Sequence, residues 1–256
     1  MRLDLFLAGN SGLRSRKAAQ DLIADGAVLV NGKECRKASR DIQPSDEVTV
    51  CKGLKYVSRG GLKLERALEL FAVDVRDKVC LDIGASTGGF TDCLLQNGAR
   101  SVVSVDVGHG QLDDSLRNDS RVESLEGTNI LDFASKDDRV FSVIVSDVSF
   151  TSLKNIFPAI KKLSCGNTDI LCLFKPQFEI GKSESRRLRD RKYHVSLLNG
   201  FISFILSEGL TVLSIAPSPV RGGDGNIEYL FWITDSPERN CRVYDIRCVV
   251  NDAFNG

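Results

Sequence analysis

Two lysines and two carboxylates, Lys63, Asp147, Lys175 and Glu228, fall where the sequence pattern starts a helix or ends a strand. Ser58-Arg59-Gly60-Gly61 leads into a helix carrying Lys63 on its first turn. An apolar strand over 141–146 stops at Asp147, another over 169–174 stops at Lys175-Pro176, and Asn226-Ile227-Glu228-Tyr229 opens a last one. Singly, each is also what an ordinary exposed strand end carries. Together they make a set able to take a proton from a weakly acidic sugar hydroxyl. A carboxylate is too weak a base for that step, whereas a lysine amine suffices once a second cation and partial burial discourage its ammonium form. In this set Lys175 is the expected base, with Lys63 the alternative, and Lys63 or a cationic ligand supplies the second cation, while Asp147 and Glu228 hold the amines in place.

The stretch from Val79 to Phe90 supplies the other half of the chemistry. It joins a short apolar strand to the turn Gly84-Ala85-Ser86-Thr87-Gly88-Gly89, after which a helix opens near Phe90. Glycines there let the backbone approach a ligand closely, and the helix start offers unpaired amides. The pattern is neither the dinucleotide G-x-G-x-x-G nor a phosphate loop ending in Gly-Lys-Ser/Thr. Asp82, just before the first glycine, disfavours a phosphate and suits a cationic or hydroxyl-bearing ligand. S-adenosylmethionine, with an ammonium, a sulfonium and no phosphate, meets that requirement. The next apolar strand, 101–106, ends at Asp106, about 20 residues on, where a ribose diol is gripped in a doubly wound sheet. Such turns also form where two elements merely pack closely.

The elements that must position these residues alternate along the chain. A helix over 62–71 and strands over 79–83, 101–106, 122–125, 141–146 and 169–174 are followed by a helix over 194–207 and strands over 211–216 and 228–234. This order predicts an α/β fold, a doubly wound and mostly parallel seven-stranded sheet with ligands at the carboxyl ends of its strands. The 256 residues, with no net charge and 42% hydrophobic content, suit one large domain plus a small one. Eight cysteines form no C-x-x-C pair, so buried reduced thiols are expected rather than zinc or disulfides, and no metal is expected. No apolar run approaches the roughly 18 residues a membrane span needs, and the start Met1-Arg2-Leu3-Asp4 is unlike a secretory signal, so a cytoplasmic location is expected. His109 and His194 have no neighbouring nucleophile motif or metal spacing and read as structural or surface residues.

The zero net charge conceals an asymmetry: residues 1–60 carry +4 and the remainder −4. In the basic part, Ser15 can cap a helix whose first turn holds Arg16 and Lys17, and Val28-Leu29-Val30 meets an Asn31-Gly32 hairpin turn. A helix pair and a hairpin with a cationic face suit phosphate backbones, although a solvated helix face has the same composition.

Arg2-Leu3-Asp4, Ser15-Arg16-Lys17-Ala18 through Ile23, Gly26 and Val28-Leu29-Val30-Asn31-Gly32-Lys33 resemble the small α+β RNA-binding domain named after the fourth ribosomal small-subunit protein. The resemblance covers roughly the first 50 residues and implies RNA contacts at Arg2, Arg14, Ser15, Arg16, Lys17, Gln20 and Lys33. Domain bounds of 1–52, a linker over 53–57 and a second domain over 58–256 follow.

Across nearly the whole chain, Ser58 to Leu64, Leu81 to Thr91, Val105-Asp106-Val107-Gly108, Ser146 to Phe150, Phe174 to Glu179 and Gly225 to Leu230 resemble the TlyA family. These proteins are similar to FtsJ-like ribose 2′-O-methyltransferases with the RNA-binding domain in front. The resemblance implies a Lys-Asp-Lys-Glu tetrad at Lys63, Asp147, Lys175 and Glu228, and methylation of cytidine riboses in ribosomal RNA. It also implies S-adenosylmethionine held by Asp82, Gly84, Ala85, Ser86, Thr87, Gly88, Gly89, Phe90, Asp106, Asn129 and Asp147, with Asn129 near the adenine. The partner it implies is ribosomal RNA or a ribosomal subunit. The chain departs from the family at Gly127, where an arginine is usual, and at Ser185-Arg186-Arg187-Leu188, where glycines are common. Its start near Arg2 resembles the shorter subgroup, which acts on large-subunit RNA.

Arg59 reads either as part of a helix-entry turn or as a contact to an RNA phosphate. Phe150, Phe178 and Tyr229 border the expected pocket and are candidates to stack on a base, with Phe178 favoured as core. A binding-only RNA protein would share the basic front without a reason for the tetrad. A pseudouridine synthase would need a largely antiparallel catalytic domain, and a secreted pore-former an amphipathic membrane segment. A haemolytic effect would then be indirect.

Overall fold

The computed structural model describes residues 1–10, 16–24, 27–50, 55–222, 225–239 and 244–255, and divides the chain into two compact units, Met1–Arg59 and Gly60–Gly256. The expected linker positions 53–54 lie outside the described residues, as do Arg14 and Ser15, so the capping expected of Ser15 is not described.

In the first unit, α1 (Leu3–Asn10) and α2 (Arg16–Ala24) precede a small sheet of β1 (Val28–Val30), β2 (Lys33–Glu34) and β3 (Val48–Val50), in the order β2-β1-β3. Leu3 with Leu7, and Ala19 with Ile23, are four residues apart on their helices. They therefore share one face, which closes on Val28, Val30 and Ile42. Asn31 and Gly32 both take positive φ, 54° and 72°, the geometry of the tight turn whose twist matches the flanking strands.

The second unit contains α3 (Gly60–Phe71), β4 (Val79–Ile83), α4 (Gly89–Gln96), β5 (Ser101–Asp106), α5 (Asp114–Arg117), β6 (Val122–Glu126), α6 (Ile130–Lys136) and β7 (Phe141–Ser146). It continues with α7 (Phe157–Lys162), β8 (Ser164–Phe174), α8 (Arg191–Ser207), β9 (Thr211–Pro217), β10 (Tyr229–Thr234) and α9 (Ile246–Asn255). The seven strands β4 to β10 form one sheet in the order β6-β5-β4-β7-β8-β10-β9, parallel from β6 to β8, with β10 antiparallel to both β8 and β9. The chain winds outward from β4 to β6 and then returns to place β7 on the other side of β4. Such a reversal opens a crevice at the carboxyl ends of β4 and β7.

Helices cover both faces. Phe231 packs on Phe201 of α8, whereas its neighbour Trp232 stacks on Phe71 of α3 at 5.8 Å between ring centroids, so successive residues of β10 serve opposite layers. That is why strands such as Val143-Ile144-Val145 are apolar without alternation.

Several boundaries differ from the sequence pattern for identifiable reasons. β8 begins at Ser164, not 169, because Asp235 accepts hydrogen bonds from the backbone N–H groups of Gly166 and Thr168 and extends the strand through a polar stretch. α8 begins at Arg191, not 194, because Asp190 caps it by accepting from the Lys192 amide.

Cys35, Cys80, Cys93 and Cys172 are buried free thiols, and burial pushes the Cys80 and Cys172 thiols up to about 12. Among the described residues no helix is long and apolar enough to cross a membrane, and no cluster of three potential metal ligands occurs.

Candidate active site

Strand register brings the four charged residues together. Tyr229 pairs with Phe174 across the antiparallel β10–β8 ladder, so the residue before one, Glu228, meets the residue after the other, Lys175. Asp147 follows the last residue of β7, the strand on the other side of β8. Lys63 reaches in from the first turn of α3, which packs on β10.

Lys63 Nζ donates to Glu228 Oε2 at 2.7 Å and lies 3.6 Å from Asp147 Oδ2. Lys175 Nζ lies 2.5 Å from Asp147 Oδ1, an ionic contact off the hydrogen-bond axis, and donates to Ser149 Oγ at 2.8 Å. Asp147 therefore bridges the two amines. The lysine side chains are 10% and 9% exposed and that of Glu228 only 2%, so four charged groups share a largely desolvated site. Burial alone would raise the Asp147 carboxyl, but the charges of Lys63 and Lys175 outweigh it and hold it below the usual carboxylate range.

Three participants escaped the sequence reading. Ser149 holds Lys175, Gln177 Nε2 reaches Glu228 Oε1 at 3.4 Å, and Gly222 covers Glu228 so closely that a Cβ there would overlap its carboxylate. The short spacing Asp147-Val148-Ser149 was the signal for the first; the others depend on the 3-10 turn after β8 and on the fold of the loop before β10.

Beside this cluster lies the glycine turn. Gly84, Ser86 and Gly88 have φ of 83°, 50° and 95°, and a Cβ on Gly84 would stand 3.2 Å from Asp147 O and Val148 Cα. The turn is fastened to β5: Val105 O accepts from the Gly84 amide, and Asp106 accepts from those of Ser86 (2.8 Å) and Gly108 (2.6 Å). No side chain caps the start of α4 at Gly88. Asp82 lies fully buried beneath the turn, its Oδ2 accepting from Thr91 Oγ1 at 2.7 Å, while its Oδ1 has no partner among the described residues. Burial raises its carboxyl to about 7. The glycines let the turn pack closely on the start of the loop after β7, and the uncapped start of α4 with the half-buried Asp106 fits a polar ligand bearing a diol. Asn129 is exposed at the start of α6, where its Oδ1 accepts from the Leu131 amide.

The aromatic expectations need two corrections. Tyr229 cannot stack on a base: it is fully buried, with its hydroxyl 2.7 Å from His194 Nδ1. Phe178 is not core but half-buried beside the 93% exposed Phe150, ring centroids 5.3 Å apart, and Lys175 Nζ lies 5.8 Å from its centroid. Phe150 keeps its exposed position at a positive φ of 64°. His194 is structural, its Nε2 lying 3.0 Å from Leu188 O, and His109 is exposed.

In the first unit, three of the expected RNA contacts converge on one residue. Asp4, fully buried, accepts from Arg2 Nε and Nη2 (both 3.0 Å), Arg16 Nε (2.9 Å) and Gln20 Nε2 (2.9 Å). Hydrogen bonding by Arg2 foremost holds the Asp4 carboxyl well below the usual range. Lys17 and Lys33 are exposed, and Arg59 is half-buried at the end of the unit.

A family model described as FtsJ-like methyltransferase matches residues 56–234. The chain belongs to that family. A model of the S4 domain matches residues 1–48 ahead of the FtsJ-like region. The FtsJ-like chain is 44% identical to Hemolysin A of Brachyspira hyodysenteriae, over 90% of this chain and 98% of that one. It is 38% identical to the 16S/23S rRNA (cytidine-2′-O)-methyltransferase TlyA of Mycobacterium tuberculosis, over 99% and 97%. A solved structure of a hemolysin-labelled Streptococcus thermophilus protein superposes with a TM-score of 0.78 at 37% identity, covering 100% of this chain and 96% of that one.

Proposed function

We propose that this protein methylates the 2′-hydroxyl of a cytidine ribose in ribosomal RNA, favouring the large subunit, in the cytoplasm. The observation that carries the reading is the Lys63–Asp147–Lys175–Glu228 cluster beside the glycine turn at the switch point of the sheet. Relatives named as rRNA cytidine-2′-O-methyltransferases support it over the full chain.

S-adenosylmethionine, when bound, supplies a methyl group on a sulfonium as the electrophile. Gly84, Ala85, Ser86, Thr87, Gly88, Gly89 and Phe90 would hold it, Asp106 would be the acceptor for its ribose hydroxyls, and Asp82 supports the turn from beneath. Lys175 Nζ, once it has given up its ammonium proton to solvent, takes the hydroxyl proton as a neutral amine, and Asp147 Oδ1 and Ser149 Oγ keep that nitrogen aimed and steady the resulting ammonium. Lys63, held by Glu228 and Asp147, keeps a second positive charge beside the developing alkoxide. Phe150, exposed and braced by Phe178, offers its face to the base of the target nucleotide. The S4 domain docks the RNA through Arg2, Arg16, Lys17, Gln20 and Lys33, with 1–52 and 58–256 acting as separate modules.

Incubation with radiolabelled S-adenosylmethionine and separated ribosomal subunits lacking the mark tests this directly. Label at one ribose of large-subunit RNA is expected; label on protein or on a base, or none on either subunit, would overturn the reading.

A further inference from the structure

A cavity of about 510 Å³ opens beside the tetrad, between the 3-10 helix Lys182–Arg189, the loop before β10 and the end of α9. Gln177, Arg189, His194, Arg221, Asn226 and Phe254 line it, and among the described residues no carboxylate does. Gln177 is shared between the two sites. Its Nε2 points to Glu228 Oε1, while its Oε1 is buried with no partner among the described residues. A buried carbonyl oxygen without a donor is a costly feature unless something supplies one.

We propose that this cavity seats the ribonucleotide adjoining the methylated one in the substrate strand, an inference that rests on the RNA methyl-transfer reading above. The guanidinium groups of Arg189 and Arg221 hold its phosphate, and a base amino group or sugar hydroxyl donates to Gln177 Oε1. A nucleotide answers both, its phosphate meeting the arginines and its base or sugar meeting Gln177 Oε1. A volume of this size is ample for one nucleotide.

Arg186 provides the control: it lies on the same 3-10 helix and is exposed, but it does not line the cavity. Full-length wild type, R189A and R186A are compared for methylation of unmarked subunits over a salt series, with S-adenosylmethionine affinity measured by calorimetry. R189A is expected to raise KM for subunits about tenfold, leave kcat within about twofold and flatten the log–log salt dependence by about one. R186A should change KM by less than about threefold, and R189K should fall between R189A and wild type because it keeps the charge but loses the planar fork. Equal effects of R189A and R186A would reduce the cavity to part of a diffuse basic face and overturn the proposal, as would an unchanged KM in R189A. A wild type that methylates no RNA overturns the functional reading and this inference together, whereas an active wild type matched by R189A overturns the inference alone.

Discussion

Lys63 and Glu228 are 165 residues apart in the sequence, yet their side chains meet at 2.7 Å in a site where Glu228 is all but sealed from water. A buried carboxylate facing one ammonium is stable only while the partner stays. Lys63→Ala is therefore expected to destabilise the fold by about 3 kcal/mol in addition to its effect on methyl transfer. Denaturant melts of K63A beside K63A/E228Q check this, because the double variant should recover part of the loss.

Lys175 differs in touching groups with more freedom, Asp147 and Ser149. Lys175→Ala should lower methyl transfer about 1000-fold while S-adenosylmethionine affinity changes by less than about twofold. Single-turnover methylation alongside calorimetry separates the two, and unchanged turnover would falsify the assignment of Lys175 as base.

Gly222 acts by what it lacks. Adding one methyl group in Gly222→Ala forces Glu228 aside and should lower kcat about 10- to 100-fold with S-adenosylmethionine affinity unchanged. A full-activity G222A enzyme would show that the loop yields instead.

The buried Asp82 carboxyl, raised by burial to about 7, gives a pH dependence of defined sign. The folded state holds this proton up to about pH 7, whereas the unfolded chain releases it near pH 4. Its contribution to stability is thus most favourable below pH 4 and declines as pH rises from about 4 to 7, by on the order of 4 kcal/mol in all. Comparing Asp82→Asn with wild type across that window should remove the slope, and parallel curves would refute the assignment.

Asp4 has the opposite sign. Its carboxyl is held below the usual range, so its contribution is present above about pH 4 and lost as pH falls below that. Asp4→Asn should weaken RNA binding about tenfold, although Asp4 itself is buried, because Arg2, Arg16 and Gln20 lose their common anchor. Filter binding of subunits across salt concentrations reads this out, and undiminished affinity would mean the three side chains need no anchor.

What the sequence made legible was mostly local. The apolar strands over 101–106 and 141–146 have the bounds their composition predicts, and the glycine turn after Ile83 sits where its residue types demand. Asp147 and Lys175 were legible as neighbours because each directly follows a buried strand of the parallel part of the sheet, whereas Glu228 precedes the antiparallel β10 and Lys63 comes from α3. Gly222 was not, since its role arises from how the loop before β10 folds over Glu228, nor was Gln177, which reaches Glu228 from the 3-10 turn Pro176–Phe178 after β8. Tyr229 and Phe178 misled for the same reason: whether an aromatic faces a neighbouring layer or an opening depends on which helix lies above it.

The hydroxyl of Tyr229, the ring of His194 and the carbonyl of Leu188 form an unbroken hydrogen-bonded chain from the first residue of β10 to the arginine-bearing 3-10 helix. Glu228 is the immediate neighbour of Tyr229 in the backbone. The position of that helix is thus tied, through two hydrogen bonds, to the very stretch of chain that carries the carboxylate.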